Sequence, residues 1–272
     1  MQEHQLPIAR ACRVVRLSRT AYYQPPMPAS RQDAAVIAAL TDAVMRYPRW
    51  GFWKLFDRLR AEGHPWNHKH VHRVYCALGL NLPRRTRRRI PSRVRQPLVA
   101  PRGLNDSWAI NFMTDTRYDG RRFRTVHVID EGNREALAIE VSPSFPSVRV
   151  IALLEALIVQ HGTPRALRCD NGPEFTSGAL ITWSQARGIT MQYIQPGKPS
   201  QNAFRERFNR TYRHEILDAY VFESLAEVRE LTTECLVNDI TRRPHDSLGR
   251  VPPLTYLPRH RAADTSPFAA ST

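Results

Sequence analysis

Ala166-Leu167-Arg168-Cys169-Asp170-Asn171-Gly172-Pro173-Glu174-Phe175 is a short apolar strand that runs straight into a turn. Asp170 therefore stands where a strand leaves its sheet, the place in an α/β sheet from which a carboxylate can project into a crevice. Downstream, Gln195-Pro196-Gly197-Lys198-Pro199 cannot be regular structure, and Ser200 can cap a helix running to about Leu217. Glu206 lies on that helix, with thirty-five residues between it and Asp170. At helical spacing Asn202, Glu206, Asn209 or Arg210, and Arg213 share one face. Phe204, Phe208, Tyr212 and Ile216 share the other. The glutamate thus sits on a polar, basic face, with Lys198, Asn202, Arg210 and Arg213 placed to meet a phosphodiester backbone. Taken singly, an Asp in a turn and a helical Glu among arginines are ordinary structural residues.

The flanking chain reads as a mixed α/β sheet. Trp108–Thr114, Phe123–Asp130 and Ala136–Val141 have strand patterns, with a hairpin signal at Asp119-Gly120. Val148–Val159 and Ser177–Arg187 read as helices, Ile189–Ile194 as a strand and Leu225–Val237 as a further helix. Three strands followed by alternating helix and strand belong to that class.

The first hundred residues have a different texture. The chain carries 40 Lys+Arg against 25 Asp+Glu over 272 residues, and residues 1–100 hold 19 and 5 of these. Nearly all of the +15 charge lies there, which points to a polyanion-binding part joined to a part with another job. Arg84, Arg85, Arg87, Arg88 and Arg89 open a run with seven arginines in twelve residues. Such a run cannot pack as a core but can neutralise phosphates and release counterions. Short helices are expected over 6–15, 18–23, 33–45, 51–62 and from Asn67 to about Gly79, broken by Pro25, Pro26 and Pro28. The last two suggest a helix-turn-helix whose second helix turns Lys69 and Arg73 to DNA; a plain helical bundle is the alternative. His64, His68, His70 and His72 do not converge on one helical face, and no CxxC lies near, so zinc is not expected. Four scattered cysteines exclude a disulfide scaffold and suit a reducing cytoplasm. No apolar run approaches the ~20 residues of a membrane span, so no membrane partner is expected.

Further segments can now be set beside these: Tyr47-Pro48-Arg49-Trp50-Gly51-Phe52, Gly120-Arg121-Arg122-Phe123-Arg124, Val128-Ile129-Asp130, Asn133-Arg134-Glu135, Asp170 to Phe175, Gln195 to Pro199, Gln201-Asn202-Ala203, Glu206-Arg207-Phe208-Asn209-Arg210 and Arg243-Pro244-His245. In this order, over nearly the whole chain, they resemble the catalytic-frame transposase of bacterial insertion sequences that encode two overlapping reading frames, with a retroviral-integrase-like core. The resemblance implies an RNase H-like fold and an Asp, Asp, Glu catalytic set in which Asp170 and Glu206 are the second and third members. It implies two Mg²⁺ (or Mn²⁺) ions held by those carboxylates for in-line phosphodiester chemistry. It implies double-stranded DNA as substrate, at element ends and target. It also implies self-association, a partner from the upstream reading frame and a bacterial cytoplasmic, nucleoid-associated location.

One position departs from the pattern. The first catalytic Asp belongs in Trp-x-x-Asp-Phe, and this chain reads Trp108-Ala109-Ile110-Asn111-Phe112. Asn111 is nearly isosteric but neutral, and offers one oxygen where a bridging carboxylate offers two. Catalysis is therefore expected to fail, either because the residue was changed to inactivate the enzyme or because the copy is decayed or repurposed. Asp115 is four residues on, roughly 13 Å away. Asp130 falls near position 111 if residue 128 pairs with it, and is the better substitute. The expected domains are a short helical segment at 1–30, a helix-turn-helix-like domain at 31–83, an Arg-rich linker at 84–103, the integrase core at 104–262 and a loose tail at 263–272. A chain that only binds DNA, competing with an active transposase, is the second reading, and a nuclease on RNA–DNA hybrids a third.

Overall fold

The computed structural model describes residues 7–14, 16, 18–23, 29–82, 101, 103–194 and 203–259. These form two compact units, one within residues 7–82 and one within residues 103–259. The prolines at 25, 26 and 28, the arginine run, the loop at 195–199, Ser200 and the tail lie outside the described residues.

The first unit is all helix: α1 (Ile8–Val14), α2 (Arg19–Tyr23), α3 (Ala29–Arg46), α4 (Phe52–Ala61) and α5 (His68–Ala77). Apolar side chains at helical spacing build its core, Val36 and Leu40 from α3, Leu55 and Leu59 from α4, and Val71, Val74 and Tyr75 from α5. Each fully buried side chain of this kind contributes about 1.5–3 kcal/mol. Asn67 starts α5 by accepting the Lys69 amide at 2.9 Å. Tyr47 and Trp50 stack at 4.1 Å in the turn before α4. Asp33 of α3 reaches α5 through Arg73 (2.7 and 2.9 Å) and His70 (2.7 Å), and these bonds hold its carboxyl below the usual carboxylate range.

The second unit is a five-stranded sheet in the order β3-β2-β1-β4-β5, made from β1 (Trp108–Thr116), β2 (Arg122–Asp130), β3 (Ala136–Ser142), β4 (Ala166–Cys169) and β5 (Thr190–Tyr193). The first three strands are antiparallel neighbours, and β4 and β5 run parallel to β1. With α6 (Ser147–His161), α7 (Gly178–Ala186), α8 (Ala203–Tyr212), α9 (Leu225–Thr241) and the short α10 (Pro253–Tyr256), this is an RNase H-like α/β fold. Strand alternation gives the sheet two apolar faces. Trp108, Ile110, Val126, Val128 and Leu167 pack with Val150, Leu154 and Leu180 of α6 and α7. Phe123, Ile129 and Val141 pack with Phe208, Tyr212, Val228 and Cys235 of α8 and α9.

One local expectation is refined and one is corrected. The helix ends at Leu217 as expected, but it is α-helical only to Tyr212 and then widens into a π turn over Arg213–Leu217, closed by the Asp218 amide on the Arg213 carbonyl at 2.7 Å. The wider turn lets consecutive Ile216 and Leu217 both point into the core. The β1–β2 register also differs by one residue, so that Asn111 pairs with His127 and not with Val128. The hairpin closes through a three-residue loop, Tyr118-Asp119-Gly120, bounded by the Arg117 amide on the Arg121 carbonyl at 3.0 Å, with Gly120 at φ +80. A two-residue turn at Asp119-Gly120 would have set the other register, and a one-residue slip changes which face each side chain takes.

Candidate functional site

Asn111 is half-buried in the middle of β1, on the face turned to α8 and α9, because its neighbours Ile110 and Phe112 belong to the other face. The parallel β1–β4 register runs Trp108 with Leu167 and Ala109 with Arg168. Continued by two residues, it brings Asn111 level with Asp170. The alternation of buried Leu167 and Cys169 gives Asp170 the same side of the sheet as Asn111.

The turn after β4 is built around Asp170. Its Oδ1 accepts the Gly172 amide at 2.9 Å. A Cβ on Gly172 would lie 3.0 Å from Asp170 Oδ1 and 3.2 Å from Glu174 Oε2, so any larger residue would push on both carboxylates. Burial is the largest single influence and works against the Glu174 charge, but the hydrogen bond and positive charge of Arg124 of β2, together with a backbone hydrogen bond, outweigh it and hold the carboxyl below its usual range. The Arg124 guanidinium also lies 4.3 Å over the Phe112 ring, and Phe112 stacks on Phe175 at 5.0 Å. The residue next to Asn111 and the turn holding Asp170 are thereby tied together.

Glu206 is exposed in the first turn of α8. One turn further on, Asn209 reaches the sheet, its Oδ1 2.8 Å from Nδ1 of His127, the cross-strand partner of Asn111. The strand pairing and this bond place Glu206 on the same side as Asn111 and Asp170. Neither Asn111 nor Glu206 makes a side-chain hydrogen bond to another described residue. His127 is fully buried, which pushes its imidazole down to about 4 against the opposing pull of Asn209.

Asp130 does not join this group, and its expected proximity to position 111 is corrected. It pairs with Trp108, three residues from Asn111 and on the opposite face. Both its oxygens are engaged, Oδ2 by the Asn105 amide (2.9 Å) and Arg259, Oδ1 by the Gly132 amide (2.8 Å). Arg259 also bonds Glu135 at 3.1 Å, while neighbouring Glu131 takes Arg168 at 2.8 Å. The motif residues Asp130 and Glu135 are parts of a buried ionic frame. Arg243 is another such part, bridging Asp239 (2.8 Å) and Glu215 from α9 to the π turn.

Of the expected DNA contacts, Lys69 and Arg210 are exposed. Arg73 is half-exposed but committed to Asp33. Arg213 bonds Asp115 and the Thr114 carbonyl, both at 3.3 Å, and braces α8 to β1. Arg84, Arg85, Arg87, Arg88, Arg89, Lys198 and Asn202 lie outside the described residues. Sequence reasoning missed His127, the Arg124–Glu174 pair and Arg259. Arg124 and Glu174 at least stood inside quoted motifs, whereas nothing in the sequence links Arg259 to a carboxylate 129 residues earlier.

Residues 101–199 and 187–253 match the integrase core domain family, and residues 31–89 the HTH-like domain family. Over 96% of its length the chain is 37% identical to an uncharacterized 39.2 kDa protein of insertion element IS476 from Xanthomonas euvesicatoria, covering 75% of that protein. It is 35% identical, again over 96% of its length, to the 31.7 kDa protein of insertion element IS407 from Burkholderia multivorans, covering 94% of it. This chain belongs to the insertion-sequence transposases with an integrase core. A putative transposase of the family, InsK of element IS150 from Escherichia coli, is 25% identical over 78% of this chain and 80% of its own length. Among solved structures, a chain of the simian T-cell lymphotropic virus intasome aligns with 86% of this chain and 80% of its own at 15% identity and a TM-score of 0.48. No helix among the described residues is long and apolar enough to cross a membrane.

Proposed function

We propose that this transposase-family chain binds insertion-sequence ends but, as written, does not cut them. The observation that carries the reading is the placement of Asn111. It stands level with Asp170 and across the ladder from the histidine that holds the Glu206 helix, where the family pattern calls for the first of three carboxylates. Two hard divalent cations need oxygen donors and negative charge. Asp170 and Glu206 supply two carboxylates, but the Asn111 amide adds no charge and cannot bridge two ions. The donor set present does not fit a pair of Mg²⁺ or Mn²⁺ ions. An Asp at 111 would complete it.

What the chain keeps is the means to hold DNA. Exposed Lys69 on α5, exposed Arg210 on α8 and the arginines at 84, 85, 87, 88 and 89 are the proposed phosphate contacts, with Lys198 and Asn202 beside Glu206. The proposed division is 1–30, 31–83, 84–103, 104–262 and 263–272, supported by the break between the two compact units and by the charge gradient. Action at two DNA ends calls for more than one copy, so self-association is part of the reading, as are the upstream-frame partner and a cytoplasmic, nucleoid location.

Binding to labelled element-end duplex at rising salt tests this. Each phosphate neutralised contributes about −0.9 to the slope of log K against log salt. Changing the five arginines to Gln flattens the slope by up to about 4.5 on this reading. An unchanged slope would remove the arginine run from the DNA interface.

A further inference from the structure

We propose that His127 is a positioning residue for catalysis, setting where α8 presents Glu206 relative to position 111. The inference rests on the reading of position 111 as a site residue, and gives a task to a buried histidine outside the Asp, Asp, Glu set. His127 lies directly across the β1–β2 ladder from Asn111. Its Nε2 is 2.9 Å from Thr125 Oγ1 and its Nδ1 is 2.8 Å from Asn209 Oδ1. A carbonyl oxygen can only accept, so Nδ1 carries the proton and Nε2 accepts from the threonine hydroxyl. The ring is wedged edge-on against Phe208 (5.5 Å) and Tyr212 (4.8 Å) of α8. With a full bond at each nitrogen and two aromatic walls, the imidazole has one tautomer and one orientation. It is a fixed polar peg from β2, the strand paired with the one that bears position 111, to the helix that bears Glu206. Asn209 follows Glu206 by three residues, so the peg fixes both the height and the rotation of the helix turn bearing the carboxylate.

The other buried ionic groups of this unit do not share that geometry. Asp130 and Glu135 are joined by Arg259 and do not bond to α8, and Arg243 ties α9 to the π turn. The His127–Asn209 hydrogen bond, by contrast, runs from the cross-strand neighbour of position 111 to the helix of the third carboxylate.

The test has two arms. In the unmodified chain, nitrogen NMR should find His127 neutral with the proton on Nδ1. His127→Phe keeps the aromatic packing but removes both bonds. It should speed hydrogen exchange of the α8 amides by roughly fivefold to tenfold, the effect of one lost hydrogen bond, while leaving the β1–β2 ladder unchanged. In the Asn111→Asp chain, His127→Phe and Asn209→Ala should each lower nicking by up to about 10²-fold, the cost of misplacing a catalytic group by about 1 Å, at unchanged DNA affinity. The double variant should be no worse than either single one, because the two residues act as a unit. Thr125→Val, which frees the tautomer but keeps the ring, should lose less. A proton on Nε2, exchange rising equally in α8 and the ladder, or additive losses would overturn the proposal. If Asn111→Asp does not nick DNA, the reading of position 111 fails, and the tautomer and exchange results still decide whether the peg holds α8.

Discussion

Asn111 and His127 face each other across the β1–β2 ladder, and this pairing leaves Asp130 opposite Trp108, beyond reach of the site. Asp130 belongs to the ionic frame closed by Arg259, whose side chain is 5% exposed. Arg259→Ala would leave Asp130 and Glu135 buried without their counter-charge. We expect a loss of about 3–5 kcal/mol in chemical denaturation of the unmodified chain. A loss under about 1 kcal/mol would mean that the frame does not depend on Arg259.

His127 makes stability pH-dependent. Its imidazole falls from 6.5 in the unfolded chain to about 4 when buried. Between these values the unfolded chain binds the extra proton, so stability falls as the pH is lowered. The contribution is complete above about 6.5 and is lost as pH drops through about 4, by up to about 3 kcal/mol. Thermal melts from pH 7 to pH 4 should show a shallower decline in His127→Phe than in the parent. Parallel declines would mean that His127 is solvated or already charged.

Gly172 donates its amide to Asp170 and leaves little room for a side chain beside it. In the Asn111→Asp background, Gly172→Ala puts a methyl group between the Asp170 and Glu174 carboxylates. Nicking should fall at least about tenfold through displacement of Asp170, while DNA affinity holds. An unaffected rate would show that the turn yields without moving Asp170.

On α5, Lys69 and Arg73 separate two effects. Lys69 is exposed, so Lys69→Ala should weaken binding alike across DNA sequences and lower the salt slope by about 1. Arg73→Ala should also lower the melting temperature, because Arg73 holds Asp33 of α3. Equal melting temperatures for the two variants would mean that the Asp33 bonds do not support the unit.

Much of this was written in local patterns. The Ala166–Cys169 strand, the turn at Asp170, the helix beginning at Ser177 and the apolar face of Phe208, Tyr212 and Ile216 follow from side-chain period and turn chemistry, and the structure has them there. What the pattern could not supply depended on geometry between distant segments. The β1–β2 register hung on whether the loop had two residues or three. The π turn answers a tertiary demand to bury both Ile216 and Leu217. Arg259 finds Asp130 only once the sheet exists. In the proposed site, Asp170 and Glu206 stood out through the family resemblance, whereas His127 and Arg124 did not, since a buried histidine and a strand arginine have no signature of their own.

The most direct test incubates this chain and Asn111→Asp side by side with labelled element-end DNA and Mg²⁺ or Mn²⁺, and looks for nicked strands. The account predicts that both bind and only Asn111→Asp cuts. Cutting by the unmodified chain would show that another group completes the site, and would contradict the reading of Asn111.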